Sequence, residues 1–293
     1  MACVTGVLVL AATPIGDPRD AAPRLGAELT TADVVAAEDT RRLRRLTDDL
    51  GVAVGGSIVS YHEHNEARRT PELVERIADG ARVVLVTDAG MPSVSDPGYR
   101  LVVACAERGL AVTCVPGPSA VLMALAVSGL PVDRFCFEGF CSRKAGERAR
   151  QLAALSVERR TMVFFEAPHR LSETLTAMAD AFGADRRGAV CRELTKTYEE
   201  VRRGGLGELA HWAADGVRGE ITVVVDGAPP VQITLEDALP QVLELVADGV
   251  RLKDACASVA EQTGLSKKAL YDAAVADRGQ KAPPSVPEMP EPR

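Results

Sequence analysis

Short runs of β-branched and small apolar residues alternate along the chain with Ala-, Leu- and Arg-rich stretches whose apolar positions recur every three or four residues. That alternation is the mark of βαβ units and predicts an α/β fold with a largely parallel sheet. The clearest strands are residues 6–12, 33–37, 82–87 and 111–115, with helices over 70–79 and 99–108 between them. Asp96-Pro97 supplies a start for the second helix, because proline fits a first helical turn. A small-residue helix over 119–127 follows directly on Pro116-Gly117-Pro118.

The pattern breaks at Ser128-Gly129-Leu130-Pro131 and resumes with strands at 134–138, 161–165, 189–192 and 220–226 and a basic helix near 143–155. A second break, Ala228-Pro229-Pro230, precedes three short helices at 235–248, 252–263 and 267–276. The Pro-rich end, 281–293, predicts a disordered tail. The organisation expected is an α/β domain over 1–129, a second α/β domain over 130–228, and a helical module over 235–280. No internal repeat is evident.

Composition narrows the picture. Aromatic residues are only 4% of the chain, so its cores must be built from Ala, Val and Leu. A net charge of −7 argues against an evenly basic nucleic-acid coat, but leaves room for a local basic face. The seven cysteines are scattered, odd in number and without a CxxC pair, which favours a reducing compartment over a disulfide framework. No metal is expected. The first apolar run, 7–12, is too short to span a bilayer, and no basic leader precedes it. A cytoplasmic protein with no membrane partner is expected.

Candidate chemistry concentrates in loops. Thr87-Asp88-Ala89-Gly90-Met91-Pro92-Ser93-Val94-Ser95-Asp96-Pro97-Gly98 leaves a strand and holds two Asp, two Pro and two Gly within a dozen residues. Pro116-Gly117-Pro118-Ser119-Ala120 and Ala11-Ala12-Thr13-Pro14-Ile15-Gly16-Asp17 follow two further strands. Open α/β sheets bind ligands at the carboxyl ends of their strands, so three such loops predict one shared site. A GxGxxA at Gly205, Gly207 and Ala210 follows a polar run rather than an apolar strand, and reads as an ordinary turn. Glu38-Asp39-Thr40-Arg41, followed by Arg42, Arg44 and Arg45, is either a capped helix with a solvated basic face or a site for a ribose between phosphates. Tyr61-His62-Glu63-His64-Asn65 is either a polar loop or a surface that stacks on a base. In the last three helices, Ala260, Gly264 and Leu270 have helix-turn-helix spacing, and Arg251, Lys253, Lys267 and Lys268 add positive charge.

Thr13-Pro14-Ile15-Gly16, Glu38-Asp39-Thr40-Arg41, Asp88-Ala89-Gly90, Ser95-Asp96-Pro97-Gly98, Pro116-Gly117-Pro118-Ser119-Ala120, Glu166-Ala167-Pro168-His169-Arg170 and Arg192-Glu193-Leu194-Thr195-Lys196 occur in this order. Together they resemble the bacterial 16S rRNA (cytidine-1402) 2′-O-methyltransferase family, a branch of the tetrapyrrole (class III) methylases. Met91, Ser93 and Ala167 depart slightly from that pattern. The resemblance implies a two-domain class III methyltransferase, S-adenosyl-L-methionine held in a cleft, 16S rRNA in the 30S subunit as substrate, and a homodimer. It implies cofactor contacts at Pro14, Ala89, Gly90, Met91, Val94, Ser119, Ala120, Glu166 and Leu194. The first seven also lie in the three strand-end loops; Glu166 and Leu194 rest on the resemblance alone. His169-Arg170 and Arg192-Glu193 with Lys196 are expected to face the same cleft.

A ribose hydroxyl is a weak nucleophile at neutral pH, so a general base would assist it. Glu38, Asp39 and Glu193 are the candidates, with Lys196 or Arg41 to steady the developing alkoxide. The alternatives are a porphyrinoid C-methyltransferase of the same fold and a non-catalytic RNA-binding protein.

Overall fold

The structure, a computed structural model, describes residues 6–230 and 233–280, in two compact units that meet in sequence at Ala228 and Pro229. The expected disordered tail, 281–293, lies outside the described residues.

The first unit opens with five parallel strands: β1 (Val7–Ala11), β2 (Val34–Ala37), β3 (Ser57–Ser60), β4 (Arg82–Val86) and β5 (Ala111–Val115). Their order in the sheet is β3-β2-β4-β1-β5. Parallel strands need crossovers, and α1 (Pro23–Thr31), α2 (Thr40–Leu50), α3 (Glu66–Ala78) and α4 (Tyr99–Glu107) supply them. Alternate residues point to opposite faces, so Leu8, Ala36 and Leu85 join α3 and α4 in one core. Val9, Val35 and Val84 meet α1 and α2 in another. Burial on both faces explains why β2 and β4 read as continuous apolar runs.

The second sheet comprises β6 (Phe135–Phe140), β7 (Thr161–Glu166), β8 (Arg187–Arg192), β9 (Glu200–Gly205) and β10 (Ile221–Val225), in the order β6-β7-β10-β8-β9. Only β6 and β7 run parallel; β10 is antiparallel to β7 and β8, and β8 to β9. The expectation of a largely parallel sheet therefore holds for the first sheet and is corrected for the second. The short connection between β8 and β9 permits an antiparallel pair without a crossover helix. Helices α6 (Ala145–Leu155), α7 (Leu171–Phe182) and α8 (Leu206–Ala213) close one face of this sheet around Phe164, Leu171, Met178 and Val223. Its other face receives α5 (Ala120–Ser128), which begins in the loop after β5 of the first sheet. Val121, Ala124 and Leu125 of α5 pack with Val163, Ala189 and Val224.

The GxGxxA does follow a strand: β9 ends at Gly205 and α8 starts at Leu206. The missing strand context is thus corrected, but the turn offers no room for a ligand. A Cβ at Gly205 would lie 2.9 Å from the Ala184 carbonyl oxygen, and the Gly205 N–H already donates to Glu208 Oε2 at 3.2 Å.

The second unit contains α9 (Leu235–Ala247), α10 (Leu252–Thr263) and α11 (Lys267–Gln280) around Ala238, Val242, Cys256, Val259 and Leu270. Thr234 and Asp237 form a reciprocal cap at the start of α9. Gly264 ends α10 at φ 74° and turns the chain into α11, the geometry anticipated from its spacing. Lys253, Lys267 and Lys268 are exposed. Among the described residues, no helix is long and apolar enough to cross a membrane.

Candidate functional site

Because β1 lies between β4 and β5, the loops that follow these three strands gather at one edge of the first sheet. Reciprocal backbone hydrogen bonds join Thr13 to Gly90, and the Thr13 hydroxyl donates to the Thr87 carbonyl at 3.2 Å. Gly90 adopts φ 79°, which favours glycine over any residue with a Cβ. The neighbouring Gly16 has a different purpose. A Cβ there would meet Thr195 Oγ1 at 2.5 Å and Lys196 Cγ at 2.6 Å, so its lack of a side chain lets the β1 loop close on the second sheet. The Asp17 N–H donates to Thr195 Oγ1 at 3.1 Å across the same seam.

The strand-end loops and the second sheet enclose a cavity of about 440 Å³. This lies within the usual range of roughly 300–1,000 Å³ for small-molecule pockets. Ala89, Gly90, Met91, Val94, Ser119 and Ala120 line it from the first sheet. Glu166 and Leu194, which periodicity gave no reason to select, line it from the second. Pro14 does not; it borders a small adjoining hollow shared with Glu38 and Asp39. Among the described residues, four non-glycine residues have positive φ, and all lie in the flanking loops: Ser93 and Ser95 after β4, Glu193 and Thr195 after β8. Such backbone costs about 1–3 kcal/mol per residue and tends to gather where a fixed loop shape is used.

Carboxylates dominate the polar wall: Glu38, Asp88, Asp96, Glu166 and Glu220, against Arg42 as the one cationic lining residue among the described residues. The Asp88 N–H donates to Glu38 Oε2 at 3.2 Å, and the Asp39 N–H returns a bond of 3.2 Å to Asp88 Oδ1. Arg42 Nη1 lies 3.4 Å from Asp88 Oδ2. Burial is the main cause that raises the Glu38 pKa, with the charge of Asp88 adding to it.

The other expected catalytic residues occupy different surroundings. Asp39 caps α2, and the Arg41 guanidinium and backbone N–H hold its carboxyl well below the usual range. Arg41 is exposed and paired with it. Glu193 and Lys196 pair at 2.9 Å, and Lys196 also reaches Glu220 Oε2 at 3.0 Å. A bond from the Glu220 N–H lowers the Glu193 pKa. Burial works against the Lys196 charge, but its bonds to Glu193 and Glu220 win and raise its pKa. None of Asp39, Arg41, Glu193 and Lys196 lines the cavity.

The expectation that His169, Arg170 and Arg192 face the cleft is corrected. His169 is exposed, Arg192 turns to Glu200, and Arg170 turns inward to the carbonyls of Cys141 and Ser142 at 2.7 and 3.1 Å. Arg170 also lies 3.4 Å from the fully buried Glu166 carboxylate, which accepts from Thr174 Oγ1 at 2.6 Å and the Ala167 N–H at 2.7 Å. Tyr61 is fully buried, with its hydroxyl 2.9 Å from Thr70 Oγ1, so it is a core residue rather than a stacking platform. On α2, Leu43 and Thr47 turn inward while Arg41, Arg42, Arg44 and Arg45 remain exposed. The segment is thus the capped helix with a solvated basic face that the sequence offered as one of its two readings.

Asp88, Asp96 and Arg42 were not singled out as site residues, although their loop and helix were. The discernible signal was the pair of aspartates in one loop. Phe165, Ile221 and Thr222 carried none, because their place on the wall depends on how the second sheet packs.

Residues 7–210 match the family described as Tetrapyrrole (Corrin/Porphyrin) Methylases, and residues 234–278 match the RsmI C-terminal HTH domain. A relative from Mycobacterium tuberculosis (strain CDC 1551 / Oshkosh), named Ribosomal RNA small subunit methyltransferase I, is 54% identical over 284 residues, covering 97% of this chain and 99% of its own. The cobalt precorrin-4 methyltransferase structure superposes with a TM-score of 0.57 at 18% identity, covering 76% of this chain and 95% of its own. A uroporphyrin-III C-methyltransferase from Thermus thermophilus, complexed with S-adenosyl homocysteine, has a TM-score of 0.52 at 19% identity, covering 75% and 97%. At these identities the two structures speak for the fold.

The Glu166–Arg170 contact fastens the end of β7 to the loop after β6. Arg170→Met keeps the apolar stem and strands a buried carboxylate, so urea unfolding is expected to show a loss of about 3–5 kcal/mol. The double variant with Glu166→Gln is expected to recover part of it. An unchanged unfolding curve for the single variant would remove the pair from this role.

Proposed function

The chain belongs to the tetrapyrrole methylase family and, within it, to the ribosomal RNA small subunit methyltransferase I group; from that premise we propose that it transfers a methyl group from S-adenosyl-L-methionine to the ribose 2′-hydroxyl of cytidine 1402 in 16S rRNA. The observation that carries the proposal is the cavity itself, assembled from three adjacent strand ends and roofed by a second sheet. Its donor set suits this cofactor. Ile15, Leu194 and Ile221 offer apolar surface to an adenosine, and the carboxylates favour a sulfonium and an ammonium. The first N–H groups of α5 lack intrahelical partners and suit a carboxylate.

In this reading Ala89, Gly90, Met91, Val94, Ser119, Ala120, Glu166 and Leu194 hold the cofactor, with Pro14 shaping the adjoining hollow. Both Glu166 oxygens are already engaged, so its contribution is to fix the wall. When bound, the cofactor supplies an activated methyl group; the protein aligns the acceptor, an effect worth roughly 7–11 kcal/mol in favourable cases. Arg41, Arg44 and Arg45 suit the phosphates around the target nucleotide. Residues 1–129 and 130–228 act as the two halves of the cleft, and 235–280 grips the 30S subunit.

A cytoplasmic homodimer completes the proposal. Its support is β5, an edge strand with Ala111 through Cys114 exposed, and Leu122 of α5, 57% exposed. An uncovered apolar edge invites pairing, and a second copy would cover it.

Mass spectrometry of 16S rRNA from cells lacking this protein is expected to show one ribose methyl group missing at the target cytidine. Loss of a base methyl instead, or intact rRNA accompanied by a missing porphyrinoid product, would contradict the assignment. Ending the chain at Ala228 is expected to preserve cofactor binding, weaken binding to 30S particles and flatten its salt dependence, because the lysines of α10 and α11 are gone. Unchanged 30S affinity with the same salt slope would give residues 235–280 another role.

A further inference from the structure

Four of the five cavity carboxylates have a donor. Glu38 accepts the Asp88 N–H, while Asp88 accepts the Asp39 N–H and faces Arg42. Glu166 has Thr174 and Ala167, and Glu220 has Lys196. Asp96, half-buried on the same wall, has neither a hydrogen bond nor an ion pair among the described residues. Its loop is firmly shaped, with Ser93 and Ser95 at φ 72° and 62° and Pro97 directly after it. A carboxylate that no protein donor satisfies, held in a fixed loop beside a ligand cavity, is available for a proton from the substrate.

We infer that Asp96 is the general base that accepts the ribose hydroxyl proton, an inference that rests on the methyltransferase reading above. The hydroxyl O–H bond breaks as an O–H bond forms on the Asp96 carboxylate. The oxygen lone pair bonds to the methyl carbon, whose bond to sulfur breaks with its electron pair remaining on sulfur. Asp96 then returns the proton to water.

The electrostatics fit the task. Burial pushes the Asp96 carboxyl up to about 7, and the charges of Glu38 and Asp88 add to the effect. A base poised near the working pH combines an ionised fraction with useful proton affinity. The charged groups around this cavity are Glu38 at the end of β2, Asp88 after β4, Arg42 on α2, and Glu166 and Glu220 from the second sheet. Glu38 is itself raised by burial, and its charge adds to the rise of Asp96. A cation bound beside Asp96 favours its charged form and releases a proton.

Three measurements test the role. Carbon-13 NMR of the ligand-free protein is expected to show an aspartate carboxyl titrating near 7, absent in Asp96→Asn and moved to lower pH in Glu38→Gln, because a neighbouring negative charge is gone. Calorimetry with S-adenosyl-L-methionine in buffers of different ionisation enthalpy is expected to show proton release at pH 7 in the wild type and none in Asp96→Asn, whose affinity falls by far less than its methylation rate. Single-turnover methylation of 30S particles is expected to fall by about 10²–10⁴-fold in Asp96→Asn and to lose its dependence on a group titrating at or below about 7. An active Asp96→Asn that keeps the wild-type pH profile would overturn this role alone. So would a rate loss matched by lost cofactor affinity, which would make Asp96 a cofactor contact. A wild-type protein that forms no ribose methyl would overturn the substrate assignment and this role together.

Discussion

Helix α5 has no charged side chain, and much of it is too apolar to leave in water. It emerges from the first sheet and finds its cover on the second, where Val121, Ala124 and Leu125 meet the strands. This single packing constraint makes the two sheets into one unit. It also places the helix N-terminus, with Ser119 and Ala120, against the cavity. The small residues of the helix allow that approach, and the glycine of the β1 loop lets the opposite seam close on the loop after β8.

The electrostatic character of the site follows from the same arrangement. Strands β2 and β4 are neighbours, so Glu38 and Asp88, just beyond them, are brought together and each accepts a backbone N–H from the loop of the other. Burial then raises Glu38 and Asp96 together, while Asp39, at the solvent-facing start of α2, is held ionised by Arg41. Adjacent carboxylates in the sequence therefore have opposite environments. Proton affinity separates them where residue type does not.

Much of this was legible because β1, β2, β4 and β5 are apolar runs and their loops carry glycine, proline and aspartate. The strand β3 escaped notice because it has four residues, two of them serine. The strand β9 reads as polar because it is an edge: Arg202 and Arg203 are exposed, and Arg202 lies 4.9 Å over the Trp212 ring. Neither strand shows the periodicity that identifies a covered one. The resemblance led to Glu166 and Leu194, which periodicity did not distinguish. The isolation of Asp96 was invisible in sequence, because it depends on where every other donor in the cavity has gone.

The central claim is that S-adenosyl-L-methionine occupies the cavity between the α5 N-terminus and the second sheet. Ala120 is partly exposed at the first turn of α5, packs at the edge of the core beneath that helix and lines the cavity, so Ala120→Phe places a ring in that space. Calorimetric titration of the cofactor is expected to show one site per chain in the wild type. In Ala120→Phe the affinity is expected to fall by roughly tenfold or more, about 1.4 kcal/mol, with an unchanged unfolding curve. Equal affinity in a folded Ala120→Phe protein would contradict the account.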